Sequence, residues 1–160
     1  MFARPSLAAL TESGPRKLAF LNLHTGERLS ATYWENGRYV ADQLHGIDRL
    51  LRDFRTGDVM PIDRDLLELL HRLQRTMDTN EPFHVISGYR SPRTNEMLRH
   101  ESGGVAANSL HTVGKAIDIR IPGRHLTDVR NTALTLGSGG VGFYPKSDFV
   151  HVDTGRVRRW

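Results

Sequence analysis

The ten residues Ser109-Leu110-His111-Thr112-Val113-Gly114-Lys115-Ala116-Ile117-Asp118 carry the most chemically pointed spacing in this chain. His111 falls in a stretch rich in Gly, Ser and Asn, and Asp118 in the isoleucine-rich segment that this stretch feeds. Six residues lie between them, Gly114 included, so the chain can turn and bring both side chains to one point. Asp118 is an odd residue for such a segment, because a buried carboxylate is costly unless it is paired or bound to a metal. Phe149-Val150-His151-Val152-Asp153 repeats the anomaly, with His151 and Asp153 on one face and the two valines on the other. Cysteine is absent, so no thiolate site exists. Two histidines and one carboxylate suffice for a catalytic zinc that keeps a fourth position for water. The plainer reading is that His111 caps a turn, Asp118 pairs with Arg90 or Arg120, and His151 is a hydrogen-bonded core histidine. Spacing alone leaves both readings standing.

Other polar motifs carry less. Ser87 and Ser109 are not in a Gly-x-Ser-x-Gly elbow, which favours hydroxyls that support a loop over nucleophiles. Gly139, Gly140 and Gly142 are not followed by Gly-Lys-Ser/Thr, so they form no phosphate loop and instead let a peptide backbone come close.

The elements that must position these groups follow from periodicity. Lys17–Leu23 and Arg28–Trp34 flank Gly26 as a β-hairpin. Val40, Leu44, Ile47, Leu51 and Phe54 give an amphipathic helix stopping near Gly57. A second helix follows Pro61, with Asp63 as its N-cap and Leu66, Leu67, Leu70, Leu73 and Met77 as its buried stripe. His45 and His71 sit on these two helices with no site pattern around them. Phe83–Ser87 reads as a strand, Gly88-Tyr89-Arg90 as a turn, and Ser91-Pro92 as the start of a helix. Residues 102–114 are a loop, Lys115–Ile121 a strand, Thr127–Leu136 a helix ending at Gly137, and Val141–Tyr144 and Phe149–Asp153 two short strands. The elements do not alternate in a βαβ rhythm, so the expected fold class is α+β, a small, largely antiparallel sheet flanked by helices with the zinc site at the sheet face. Residues 1–16, with Pro5, Gly14 and Pro15, read as a flexible lead-in, and 17–160 as one domain with no repeat or linker.

A chain of 160 residues can bury a single core. The formal charge of +4 suits an anionic partner. Apart from Arg156, Arg158 and Arg159 the basic residues are scattered, with no stripe interleaved with aromatics, so no nucleic-acid partner is expected. No apolar run approaches the ~20 residues of a membrane span. Met1–Leu10 lacks an apolar signal core, which leaves a cytosolic protein or one whose export signal is not in this sequence. No long apolar stripe is left over, and a monomer is expected.

Ser109-x-His111-x-x-Gly114-x-Ala116-x-Asp118 matches the Ser-x-His-x-x-Gly-x-Ala-x-Asp signature of the D-alanyl-D-alanine metallopeptidase superfamily, which also holds lysostaphin-type enzymes and the hedgehog domain. Ser87-Gly88-Tyr89-Arg90-Ser91, the run Gly139–Pro145, the run Phe149–Gly155, the early Asn22–Glu27 and the terminal Trp160 resemble the murein endopeptidase K-like branch, in the same order. The likeness spans about residues 17–160. It implies a Zn²⁺ held by His111, Asp118 and His151, a peptidoglycan peptide substrate, and a periplasmic home. The reaction it implies is hydrolysis of cross-links involving meso-diaminopimelate, with the 3–3 type included. Arg90 is expected to bind an oxyanion or a substrate carboxylate, and Asp153 to act as general base or to orient His151. Asp148 is the alternative base, standing where many relatives have Glu, although strand parity points it away from His151. Phe149 replaces a second histidine found in some relatives. The rival functions are a D-Ala-D-Ala carboxypeptidase and a non-catalytic zinc-containing module that binds peptidoglycan.

Overall fold

The computed structural model describes residues 14–160, so most of the expected lead-in lies outside the described residues. Strand β1 (Arg16–Asn22) and β2 (Arg28–Glu35) form the expected antiparallel hairpin. The turn is organised by Asn22, whose side-chain oxygen accepts from His24 and Thr25 N–H while its amide donates to Leu50 O. β3 (Arg38–Tyr39) returns against β2 and leads into α1 (Ala41–Leu50). α2 (Arg64–Thr76) begins where Asp63 accepts from Asp65 N–H, as its N-cap position predicted. There follow β4 (Phe83–Ser87), α3 (Pro92–Ser102), a 3₁₀ turn at Leu110–Val113, β5 (Ala116–Arg120), α4 (Leu126–Leu136), β6 (Gly140–Tyr144), β7 (Phe149–Asp153) and β8 (Arg158–Arg159). Among the described residues no helix is long and apolar enough to cross a membrane.

The eight strands among the described residues join one sheet in the order β3-β2-β1-β4-β5-β7-β6-β8. The architecture is α+β, as expected, but the sheet corrects the expectation of a small, largely antiparallel one. It is eight-stranded and mixed, because β1 runs parallel to β4 and β6 parallel to β8. The physical reason is the chain between β1 and β4: α1 and α2 intervene and return it to the same end of the sheet. β3 and β8, at two residues each, are too short to leave a period in the sequence.

One sheet face is apolar. Leu18 and Phe20 from β1, Phe83 and Val85 from β4, Ile117 and Ile119 from β5, and Val150 and Val152 from β7 are at most 1% exposed. Leu66, Leu70 and Leu73 of α2 and Val129 and Ala133 of α4 join the same core. The two-residue alternation of β5 and β7 therefore turns Asp118, His151 and Asp153 to the opposite face.

The turn that feeds α3 is fixed from below by Asp53, which is 2% exposed. Its carboxylate accepts from Ser91 N–H and Arg55 N–H, both at 2.9 Å. Burial by itself would raise this carboxyl, but hydrogen bonds from the Thr94 and Ser91 side chains and from the two backbone amides outweigh it and bring its pKa down to about 2. A folded-state pKa below the unfolded one stabilises the fold above the unfolded value, and the gain is lost as pH falls toward 2. Asp53→Asn should therefore lower stability by about 2 kcal/mol at pH 6, with the difference from the parent vanishing near pH 2. Urea unfolding of both proteins across that range measures it.

Candidate metal centre and active-site cleft

Register builds the centre. Asp118 on β5 stands directly opposite His151 on β7, Ser87 on β4 opposite Asp118, and Gly142 on β6 opposite His151. Cross-strand neighbours on one face lie close enough for their side chains to meet. The third group arrives from outside the sheet. Ser109 caps the 3₁₀ turn by accepting from His111 N–H, and Gly114 closes it at a φ of 68°. A Cβ at Gly114 would stand 2.6 Å from Pro61 O, so both its conformation and its surroundings require glycine. The turn is also bolted to the strand-to-helix corner: Arg90 N–H donates to His111 O, and the His111 ring meets Gly88 O at 2.8 Å.

A carbonyl can only accept, so His111 Nδ1 carries the proton and Nε2 presents a lone pair. On His151, Nε2 lies 2.9 Å from Asp153 Oδ2, which leaves Nδ1 to face the same point. His111 Nε2, His151 Nδ1 and Asp118 Oδ1 form a triangle with sides of 3.2, 3.2 and 2.9 Å. Bonds of ~2.0–2.1 Å to a tetrahedral ion put neighbouring ligand atoms ~3.3 Å apart, so the three atoms are spaced as such an ion needs. All three residues are buried. The structure thus brings together the three residues that spacing had left open between a metal centre and three separate structural roles.

Electrostatics agree with geometry. Burial would push the Asp118 carboxyl up, but the His111 and His151 rings hold it well below the usual carboxylate range. Burial likewise disfavours a charged His151, yet hydrogen bonds to Asp118 and Asp153 raise its pKa to about 8. A proton and a metal ion therefore compete for Nδ1.

Arg90 is nearly buried, with Nη2 3.8 Å from Asp118 Oδ2, and lines the cleft. Its other contacts are long, 3.3 Å to Asn95 Oδ1 and 3.4 Å to Ser87 Oγ, and its Nε has no partner among the described residues. Arg120 pairs with Asp148 rather than with Asp118. Asp148, at a φ of 55°, is turned to solvent in that pair, away from the cluster. Asp153 is fully buried and saturated: Oδ1 accepts from Gly140 N–H, Gly155 N–H and Arg158 Nη1, and Oδ2 from His151 and Arg158 Nη2. Arg158, Asn95 and the Gly88 carbonyl were not legible as site residues. Arg158 looked like one charge in a basic tail, and a backbone acceptor leaves no signal in side-chain types.

The cleft holds about 560 Å³, and residues of the 104–110 loop line it together with Tyr144, Phe149 and Trp160. Two imidazoles and a carboxylate converging in such a cleft are the donor set of a mononuclear metallopeptidase. Comparison with known proteins narrows this class. The family model described as peptidoglycan L,D-endopeptidase MepK matches residues 10–160, and the chain belongs to that family. Peptidoglycan L,D-endopeptidase MepK of Escherichia coli K12 is 44% identical over 156 residues, which cover 98% of this chain and 86% of the relative. The Shigella flexneri protein of that name matches equally, and a probable peptidoglycan L,D-endopeptidase MepK of Haemophilus influenzae is 45% identical over 96% of this chain and 83% of its own.

If Asp153 orients His151, then Asp153→Asn should weaken Zn²⁺ binding by roughly 10–100-fold with the far-UV circular dichroism unchanged. A competition titration against a chromogenic chelator checks it.

Proposed function

We propose that this protein is a zinc-dependent peptidoglycan endopeptidase that hydrolyses peptide cross-links of the L,D type, in which meso-diaminopimelate takes part. The single observation that carries this is the convergence of His111 Nε2, His151 Nδ1 and Asp118 Oδ1 within 4.8 Å of one another at the floor of the cleft. Membership of a family whose model and relatives bear that activity in their names supplies the substrate class. Such a substrate lies outside the cytoplasm, which fits a periplasmic site of action. Residues 17–160 act as one catalytic domain, as a monomer.

His111, Asp118 and His151 would hold the ion, and a zinc bound there would supply Lewis-acid chemistry to the scissile carbonyl and to the attacking water. Gly88 O and Asp153 Oδ2 each hold the far ring nitrogen of one ligand histidine, which fixes both rings before substrate arrives. Arg90, whose Nε has no partner among the described residues and whose guanidinium borders Asp118, donates hydrogen bonds to the oxyanion or to a substrate carboxylate. Asp153 serves as the positioning residue of the two roles open to it, because five donors already occupy its oxygens.

The test is metal content and turnover in the same preparations. The parent should hold one zinc per chain and release monomers from an L,D-cross-linked muropeptide dimer, as read by mass spectrometry. His111→Ala and His151→Ala should lose both zinc and activity. Loss of a single terminal D-Ala from an uncross-linked peptide would instead mark a carboxypeptidase, and zinc without turnover a binding module. Arg90→Met should keep its zinc while kcat falls by about 10²-fold, the scale of one oxyanion donor.

A further inference from the structure

Trp160 stands in the active-site cleft. Trp160 N–H donates to Val141 O and Phe143 N–H donates to Trp160 O, so the backbone beyond β8 continues along β6. This carries the indole over Gly142, the residue paired with His151. A Cβ at Gly142 would sit 2.7 Å from the indole Cε2, so glycine at this position is what lets the ring lie down on the strand. Three further contacts hold it. Nε1 donates to Tyr144 Oη at 2.7 Å, the Arg158 guanidinium lies 4.8 Å from the ring centroid, and the His151 ring lies 5.2 Å away. Tyr144 is in turn stacked on Phe149 at 4.5 Å, which extends the aromatic surface along the cleft.

Held this firmly, the indole is nevertheless 49% exposed. A ring that served only to close the sheet edge would be packed away, and the backbone pairs with β6 already close that edge. Its position beside His151 and its exposure in the cleft suit a surface against which something packs. Aromatic faces favour aliphatic chains and peptide planes, and they lose little conformational freedom when covered.

We propose that Trp160 is a substrate-binding, specificity-determining residue: its indole is the wall on which the aliphatic arm and peptide plane of the cross-linking residue lie as the scissile bond enters the site. This rests on the endopeptidase reading above for the identity of the substrate. Gly142 and Tyr144 hold the wall in place, and Arg158 links it to Asp153 and through that to His151, so the wall and one metal ligand share a support.

Steady-state kinetics on a purified L,D-cross-linked muropeptide dimer test this. Trp160→Ala should raise KM about five- to tenfold, the scale of one lost aromatic contact, with kcat within threefold of the parent and zinc content unchanged. Trp160→Phe should recover part of the loss. Gly142→Ala, which keeps the indole but pushes it off the strand, should raise KM in the same direction and serves if Trp160→Ala does not fold. Parent-like KM in Trp160→Ala and Gly142→Ala would overturn the proposal, as would a fall in kcat accompanied by loss of zinc. Tryptophan emission gives a readout that needs no turnover. The dimer should shift the emission saturably in the parent and in Trp34→Phe but not in Trp160→Phe. A shift that survives in Trp160→Phe, or no shift in the parent, overturns the wall. Absence of hydrolysis by the parent sinks the endopeptidase reading instead and leaves the emission experiment to decide Trp160.

Discussion

Everything chemical in this molecule depends on two hydrogen bonds that contain no metal: His111 Nδ1 to Gly88 O and His151 Nε2 to Asp153 Oδ2. Each uses up one nitrogen of an imidazole and so decides which nitrogen is left to bind. The two histidines turn different atoms to Asp118, Nε2 and Nδ1, because Gly88 O engages Nδ1 of the first and Asp153 Oδ2 engages Nε2 of the second. Exchange either acceptor for a group that cannot accept and the ring is free to flip or to take the other tautomer, and the triangle with Asp118 no longer has three lone pairs pointing inward. The rest of the fold serves to hold those two acceptors still.

It does so with different means on each side. Gly88 belongs to the corner between β4 and α3, where Tyr89 N–H is bonded to Leu51 O, Arg90 N–H to His111 O and Ser91 N–H to Asp53. That corner is a backbone device, anchored to the helical layer through the loop after α1. Asp153 belongs to a side-chain device on the other flank of β5, at the end of β7, where two glycine amides and the Arg158 guanidinium saturate it. Between them the register of β5 against β7 places Asp118 beside His151 with no special loop at all. A sheet supplies fixed spacing, turns supply aim, and the site uses one of each.

This division explains what was legible in the sequence. The strand carrying Asp118 and the strand carrying His151 were readable because a polar residue on an otherwise apolar alternation stands out, and Gly114 marked the turn that lets His111 join them. The hairpin, the helices after Pro61 and Ser91, and the Asp63 cap were readable from turn chemistry and apolar periodicity. What escaped depends on contacts that no local pattern encodes. The parallel pairings of β1 with β4 and β6 with β8 are set by how α1, α2 and the tail return the chain. Gly88 acts through a carbonyl every residue has. Arg158 resembled its neighbours Arg156 and Arg159 until the tail was seen to fold back onto Asp153.

The fate of Asp153 shows why geometry must precede role in such a site. By sequence it stood on the right face and near enough to accept a proton from the attacking water. Buried completely, with its oxygens each met by two or three donors, it has no lone pair turned to the cleft and a carboxyl held well below the usual range. A base must be open to its proton, so these contacts support the positioning role proposed above for Asp153. The same features make it a good orienter. Its charge is balanced by Arg158, as that of Asp118 is faced by Arg90. Two carboxylates set against two guanidiniums leave the protein part of the site close to neutral, so the charge of a divalent ion held there would meet substrate without a surplus of anionic charge to blunt it.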